Sequence, residues 1–183
     1  MEQTYFCTFT CLDWISLFEI TDFYDSIYKW FNLLVQNQHQ VSGFVIMPNH
    51  LHLLLYVAEG KDTINTILGN GKRFMAYEMV KRLEAAGRTD ILQVLAGHVT
   101  PNERARKKKH RVFEVSSDIK PCYTEKFLLQ KLNYIHTNPI RGKWQLADSA
   151  EEYAHSSAAF YALNREHPRI KITHYKDVGR GFR

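Results

Sequence analysis

The chain has 183 residues, 45% of them hydrophobic, with nine glycines and five prolines; this excludes disorder and collagen-like repeats and fits one domain with a sizeable core. A formal charge of +5 and a pI near 9.1 point to an anionic partner, nucleic acid ahead of a membrane surface. No apolar run approaches the ~20 residues that span a bilayer. The start, Met1-Glu2-Gln3-Thr4, lacks the basic-then-apolar order of a signal peptide. The three cysteines, with no C-x-x-C pair, fit a reduced, cytoplasmic protein.

Tyr5 to Leu12 is aromatic and β-branched and predicts a first strand. Cys7 and Cys11, four apart on it, would stand ~13 Å from each other, too far for a disulfide. Thr21 is placed to cap a helix with Asp22 in its first turn. Ile20, Phe23, Ile27, Trp30, Phe31 and Leu34 recur at helical spacing, carrying that helix to about Gln38. Val41 to Met47 predicts a second strand, Pro48-Asn49 a tight break, and Leu51 to Val57 a third strand. Glu59-Gly60-Lys61-Asp62 is a loop, with Asp62 or Thr63 capping a helix from about Thr63 to Ala86. Its apolar set is Ile64, Ile67, Leu68, Met75, Met79 and Leu83. Gly69-Asn70-Gly71-Lys72 fails the phosphate-loop spacing, because Thr66 stands where the first glycine is required. The two glycines permit either close packing or a bend.

From Gly87 to about His110 the periodicity dissolves. Arg104, Arg106, Lys107, Lys108, Lys109 and Arg111 put six cations into eight positions. Such a block is a solvated loop and, compatibly, a phosphate-binding arm; Lys72 and Arg73 are helix charges that could join it. Arg111 to Val115 alternates as a fourth strand. Pro121 and Thr124 lead into a helix from about Glu125 to Asn138. At 100° per residue Leu128, Leu132 and Ile135 form its core stripe, while Phe127, Lys131, Tyr134 and Asn138 share one flank. Asn138 precedes Pro139 and is biased away from helical geometry. No internal repeat or linker divides the chain, so a single domain over 1–183 is expected.

Two stretches carry chemistry. In Met47-Pro48-Asn49-His50-Leu51-His52 the two histidines point the same way from one strand, because successive side chains alternate faces. Paired imidazoles on a rigid strand suit a metal, although H-x-H alone equally describes polar positions on a half-buried strand. The second stretch is Asn133-Tyr134-Ile135-His136-Thr137-Asn138-Pro139-Ile140-Arg141-Gly142. In this order the two resemble the single-tyrosine transposases of the HUH endonuclease superfamily, most of all the REP-associated tyrosine transposases and their insertion-sequence relatives. Tyr153-Ala154-His155-Ser156-Ser157-Ala158 is similar to the family's stretch after the nucleophile helix. A basic insertion at about 94–111 and the tail after about 161 match nothing in that pattern, and Lys143 departs from the apolar run expected there.

The resemblance implies an α+β, ferredoxin-like antiparallel sheet with helices packed on one face. The order of predicted elements (strand, helix, strand, strand, helix, strand, helix) agrees with it. It also implies that His50 and His52 bind a divalent metal, with Asn138 as third ligand and Tyr134 as nucleophile on single-stranded or hairpin DNA. Two nitrogens and one oxygen with open positions suit Mg²⁺ or Mn²⁺, with zinc the runner-up. A free phenol ionises only near pH ~10, so the nucleophile needs a metal, a base or a cation beside it; Lys131 is placed for that. Attack would leave a 5′-phosphotyrosine and a free 3′-hydroxyl. One tyrosine makes one covalent link at a time, so two cleavages need a homodimer or successive turnovers. Arg141, Lys72, Arg73 and the block from Arg104 to Arg111 would hold phosphates, and Trp144 would stack a base or sit in the core. Two other classes remain open: a non-catalytic nucleic-acid-binding module, and a metal-dependent phosphodiesterase that uses water in place of tyrosine.

Overall fold

The computed structural model describes residues 3–60, 62–115 and 118–179. Four antiparallel strands, β1 (Gln3–Thr10), β2 (Gln40–Ile46), β3 (His50–Val57) and β4 (Asp118–Pro121), form one sheet in the order β2-β3-β1-β4. β1 and β3 are central, paired from Gln3 opposite Val57 to Thr10 opposite His50. Every residue of β2 and β3 is buried, which requires apolar cover on both faces of the sheet.

That cover is divided. On one face Phe9, Phe44, Leu51, Leu53 and Leu55 pack with Phe31 and Trp30 of α2 (Tyr24–Gln36) and with Leu68, Met75 and Met79 of α3 (Ile64–Ala85). On the other, Phe6, Val45 and Leu54 pack with Leu128, Leu132 and Ile135 of α6 (Glu125–Thr137). The antiparallel α+β fold is the expected one, but the helices lie on both faces rather than one. The alternation of β3 explains it: odd positions feed one core and even positions the other.

Gly71 of α3 settles its own role. A Cβ there would meet the Trp30 ring at 2.7 Å, whereas one at Gly69 would meet nothing within 4 Å. Gly71 therefore permits a close helix–helix approach, and Gly69 serves no contact.

Three local expectations are corrected. Thr21 is not a helix N-cap: its hydroxyl donates to the Leu17 carbonyl at 2.6 Å, closing the short α1 (Leu17–Ile20), and α2 begins after Phe23. Arg82 instead donates to the Thr21 and Asp22 carbonyls at that turn. Ile20 is correspondingly left 40% exposed, outside the apolar face assigned to it. The fourth strand is not at Arg111 to Val115. There Phe113 makes a single bridge to Cys11, and the strand forms farther on, at Asp118–Pro121; Pro121 is tolerated because β4 is an edge strand.

Nor does 87–110 lack regular structure, although its periodicity dissolves. It carries α4 (Thr89–Gly97), which buries Ile91 and Leu95, and α5 (Pro101–Ala105). Thr100 and Glu103 form a reciprocal capping box on α5 with Pro101 just inside it, a Thr-x-x-Glu signature that was visible in the chain. At the helix starting near residue 63, Thr63 is the cap, accepting from the Thr66 amide; Lys61 of the preceding loop lies outside the described residues.

The free edge of β2 is covered. Ile46 donates its amide to the His155 carbonyl and Ser157 donates to Phe44, while Thr173 donates to Val41. The stretch after α6 and the tail thus seal a strand edge that would otherwise be open to another chain.

Candidate metal and nucleophile site

His50 and His52 stand on the central strand β3, facing α6, with Leu51 turned into the opposite core. Each is only 4% exposed, and both outer nitrogens are tethered. His50 Nδ1 lies 2.7 Å from Asn49 Oδ1. Asn49 donates its Nδ2 to the Trp14 carbonyl at 2.8 Å, which leaves Oδ1 as the acceptor, so Nδ1 of His50 carries the proton. His52 Nδ1 contacts the hydroxyl of Thr8, its cross-strand partner, at 2.9 Å.

The inner nitrogen of His50 is then its lone-pair end. His50 Nε2 faces Asn138 Oδ1 at 3.2 Å, and His52 Nε2 is buried without a hydrogen-bond partner. Two lone pairs facing each other need a cation between them, or an amide turned to present its Nδ2. An orphaned buried imidazole nitrogen alongside argues for the cation. Burial lowers His50 to about 4, opposed by its contact with Asn138 and aided by Lys143; burial lowers His52 to about 3, aided by His50 and Lys131. Both rings are thus held neutral, the form that ligates metal. Among the described residues no group of three or more His, Cys, Asp or Glu side chains that could hold a metal ion occurs; the donors brought together at this candidate site are two imidazoles and one amide oxygen. Those residues fit a hexacoordinate Mg²⁺ or Mn²⁺ with open positions better than a closed zinc site.

α6 supplies the other half. Thr124 caps its start and the helix ends at Thr137. Asn138 keeps helical dihedrals, φ −57° and ψ −45°, against the bias imposed by the following proline, and this turns its amide to His50. Leu128, Leu132 and Ile135 are buried as expected. On the neighbouring flank the Tyr134 ring lies edge-on to His52, centroids 5.0 Å apart, and packs on Phe6 at 6.1 Å. Tyr134 is 44% exposed, so the residue stands at the surface and not in a closed cavity. Lys131 Nζ lies 4.6 Å from the Phe6 ring centroid and 5.7 Å from that of Tyr134.

The basic residues divide. Arg104 is structural, donating to the Val99 and Ala96 carbonyls. Arg111 and Lys108 are bound to Glu103, whose carboxyl they hold well below the usual range. Lys72 donates to the Glu114 carbonyl and sits over Phe9 and Phe113. Arg73 bonds Asn70. Arg106, Lys107 and Lys109 make no side-chain contact among the described residues and line a groove of about 800 Å³ between α3 and the basic loop. Arg141 lies exposed at the end of the turn that follows Asn138. Trp144 is partly buried, its ring 6.4 Å from His50.

Sequence reasoning missed three residues here. Asn49 and Thr8 orient the histidines, and Trp14, 56% exposed, stands edge-on to His50 at 5.5 Å. Asn49 adjoins the histidine motif and could have been suspected. Thr8 and Trp14 reach the site only through strand pairing.

No protein-family model matches the chain, and no curated protein matches it. Among solved structures, a REP-associated tyrosine transposase bound to a REP hairpin is similar over 99% of this chain and 92% of that one, with a TM-score of 0.55 and 15% identity. A Deinococcus radiodurans protein described as a transposase aligns with 75% of this chain and 91% of its own, at TM-score 0.43 and 17% identity. With near-complete coverage of both chains by the first of these, at its TM-score, this protein has the fold of the REP-associated tyrosine transposase.

Proposed function

We propose that this chain cleaves and rejoins single-stranded or hairpin DNA through a covalent tyrosine intermediate. The observation that carries the reading is the pair of buried imidazoles, both tethered outward, with His50 facing Asn138 and His52 unpartnered inward, beside the exposed Tyr134. His50, His52 and Asn138 would hold the divalent ion; when bound, it polarises the scissile phosphate and offsets charge that develops on it. Tyr134 Oη attacks phosphorus, an Oη–P bond forms, and the P–O3′ bond breaks. The phenolic proton leaves the tyrosine and a proton ends on the departing 3′ oxygen, giving a 5′-phosphotyrosine and a 3′-hydroxyl. Because the ester retains the energy of the diester, a 3′-hydroxyl can reverse the step without ATP. Lys131, held by the Phe6 and Phe127 faces, places a cation beside Tyr134. Arg141, Arg73, Arg106, Lys107 and Lys109 would take phosphates of the same strand. Two cleavages would use a homodimer or two successive turnovers.

The test is a denaturing gel with end-labelled single-stranded hairpin oligonucleotides and Mn²⁺ or Mg²⁺. A protease-sensitive adduct that is lost in Tyr134→Phe and in His50→Ala is the expected result. Cleavage without an adduct that survives Tyr134→Phe would replace this reading with hydrolysis by activated water. Salt-sensitive binding with neither cleavage nor adduct would leave a binding module.

A further inference from the structure

Beside His50 the backbone does something that the core does not require. Asp13 and Trp14 have φ of 51° and 57°, the one adjacent pair of non-glycine residues in the left-handed region among those described. For a bulky residue such as tryptophan this is an unfavourable conformation. It is held by several tethers: Asn49 Nδ2 to the Trp14 carbonyl at 2.8 Å, the Asp13 amide to Glu114 Oε1 at 3.0 Å, and His98 Nε2 to the Asp13 carboxylate at 3.0 Å. What these bonds present is an indole 56% exposed to solvent, its ring 5.5 Å from His50. Burial therefore does not explain the strain.

The tether to Asn49 fixes more than the turn. The same amide accepts from His50 Nδ1, so one side chain sets both the imidazole that faces Asn138 and the backbone that carries the indole. Trp14 lies against His50, and Tyr134 against His52. A phosphate held at the two histidines thus has the attacking phenol beside one imidazole and an exposed aromatic plane beside the other.

We infer that Trp14 is a base-stacking residue that positions an unpaired nucleotide next to the scissile phosphate. The inference rests on the single-strand cleavage reading and names a contact within it. An indole offers any base a face, so it would align the strand without reading its sequence. A paired base is already stacked and would gain nothing, which makes the contact selective for single strands.

Binding of a fluorescently labelled single-stranded oligonucleotide is measured without metal by anisotropy, for the wild-type protein and for Trp14→Ala, Trp14→Phe and Trp14→Gly. The oligonucleotide carries the cleavage point mapped with the wild-type enzyme. Loss of one stacked base corresponds to roughly tenfold to a hundredfold weaker binding. That loss is expected in Trp14→Ala and Trp14→Gly, with most of the affinity kept in Trp14→Phe. It should vanish when the nucleotide on one side of the cleavage point is made abasic.

Glycine accepts the left-handed backbone without strain, so Trp14→Gly should melt no lower than wild type while binding poorly. Equal affinity of Trp14→Ala and wild type would overturn the assignment. So would a loss that persists unchanged on every abasic substrate, or a loss accompanied by a matching fall in melting temperature in Trp14→Gly. If the wild-type protein forms no adduct and cleaves nothing, the cleavage reading itself fails. An active wild type with an indifferent Trp14 removes this inference alone.

Discussion

At the scale of single residues, the site is a set of hydrogen-bond assignments. Thr8 and Asn49 do not reach the metal position, yet each tethers the outer nitrogen of its histidine, and Asn49 also fixes which nitrogen of His50 is free. Removing such an outer partner weakens metal binding by about tenfold to a hundredfold. Thr8→Val and Asn49→Ala should do so for Mn²⁺ in calorimetric titration, with Thr8→Ser keeping most of the affinity. Because burial holds the two imidazoles near 4 and 3, protons compete poorly for them. Mn²⁺ affinity should therefore change little between pH 7 and 5.5. A steep loss over that interval would show histidines that titrate in their ordinary range. Tyr134 makes no side-chain hydrogen bond among those described. Tyr134→Phe should accordingly abolish the covalent adduct, a loss of at least about a thousandfold, while oligonucleotide affinity and melting temperature stay near wild type.

Among the elements, two show how packing sorts residues that look alike in the chain. Gly69 and Gly71 lie on the same helix, but only Gly71 meets the Trp30 ring. Gly69→Ala should stabilise the protein by about 0.5–1 kcal/mol through helix propensity, and Gly71→Ala should destabilise it by about 1–3 kcal/mol through overpacking. Thermal melting of the pair checks both signs. The basic run divides in the same way. Among the described residues Arg106, Lys107 and Lys109 line the groove without a side-chain hydrogen bond or ion pair, while Arg104 caps carbonyls and Arg111 and Lys108 are bound to Glu103. Replacing the first three together by alanine should flatten the dependence of log affinity on log salt by about 2, at roughly 0.7 per phosphate contact on single strands, and leave stability unchanged. Arg104→Ala should instead lower the melting temperature and leave the salt slope nearly intact.

For the molecule as a whole, the buried histidines set the response to acid. Burial lowers His136 to about 4, as it lowers His50 and His52, and it lowers His39, His155 and His167 as well. Each folded-state value lies below the unfolded one near 6.5. Below that pH the unfolded chain takes up protons that the folded chain refuses, so this contribution is present in full above pH 6.5 and is lost as pH falls toward 4. Denaturation with urea in the presence of a chelator should show stability dropping on the order of one kcal/mol per pH unit for each strongly buried histidine. A flat profile from pH 7 to 5 would contradict the burial of these rings.

The chain by itself determined a great deal: the three longest strands, α3, and α6 with its buried stripe of Leu128, Leu132 and Ile135. These follow from periods of 2 and 3.6, which depend on near neighbours along the sequence. The expected grouping of His50, His52, Tyr134 and Asn138 came instead from the resemblance that two distant motifs carry together. Tertiary structure alone decided the rest. It moved the fourth strand to Asp118–Pro121, because pairing along β1 outweighs local alternation. It placed α6 across the sheet from α2 and α3, because β2 and β3 are buried on both sides. It brought Thr8 to His52, and it brought Trp14 through Asn49 to His50. Those contacts join residues up to forty-four positions apart; strand register and a strained turn set them, and neither leaves a mark in composition or period.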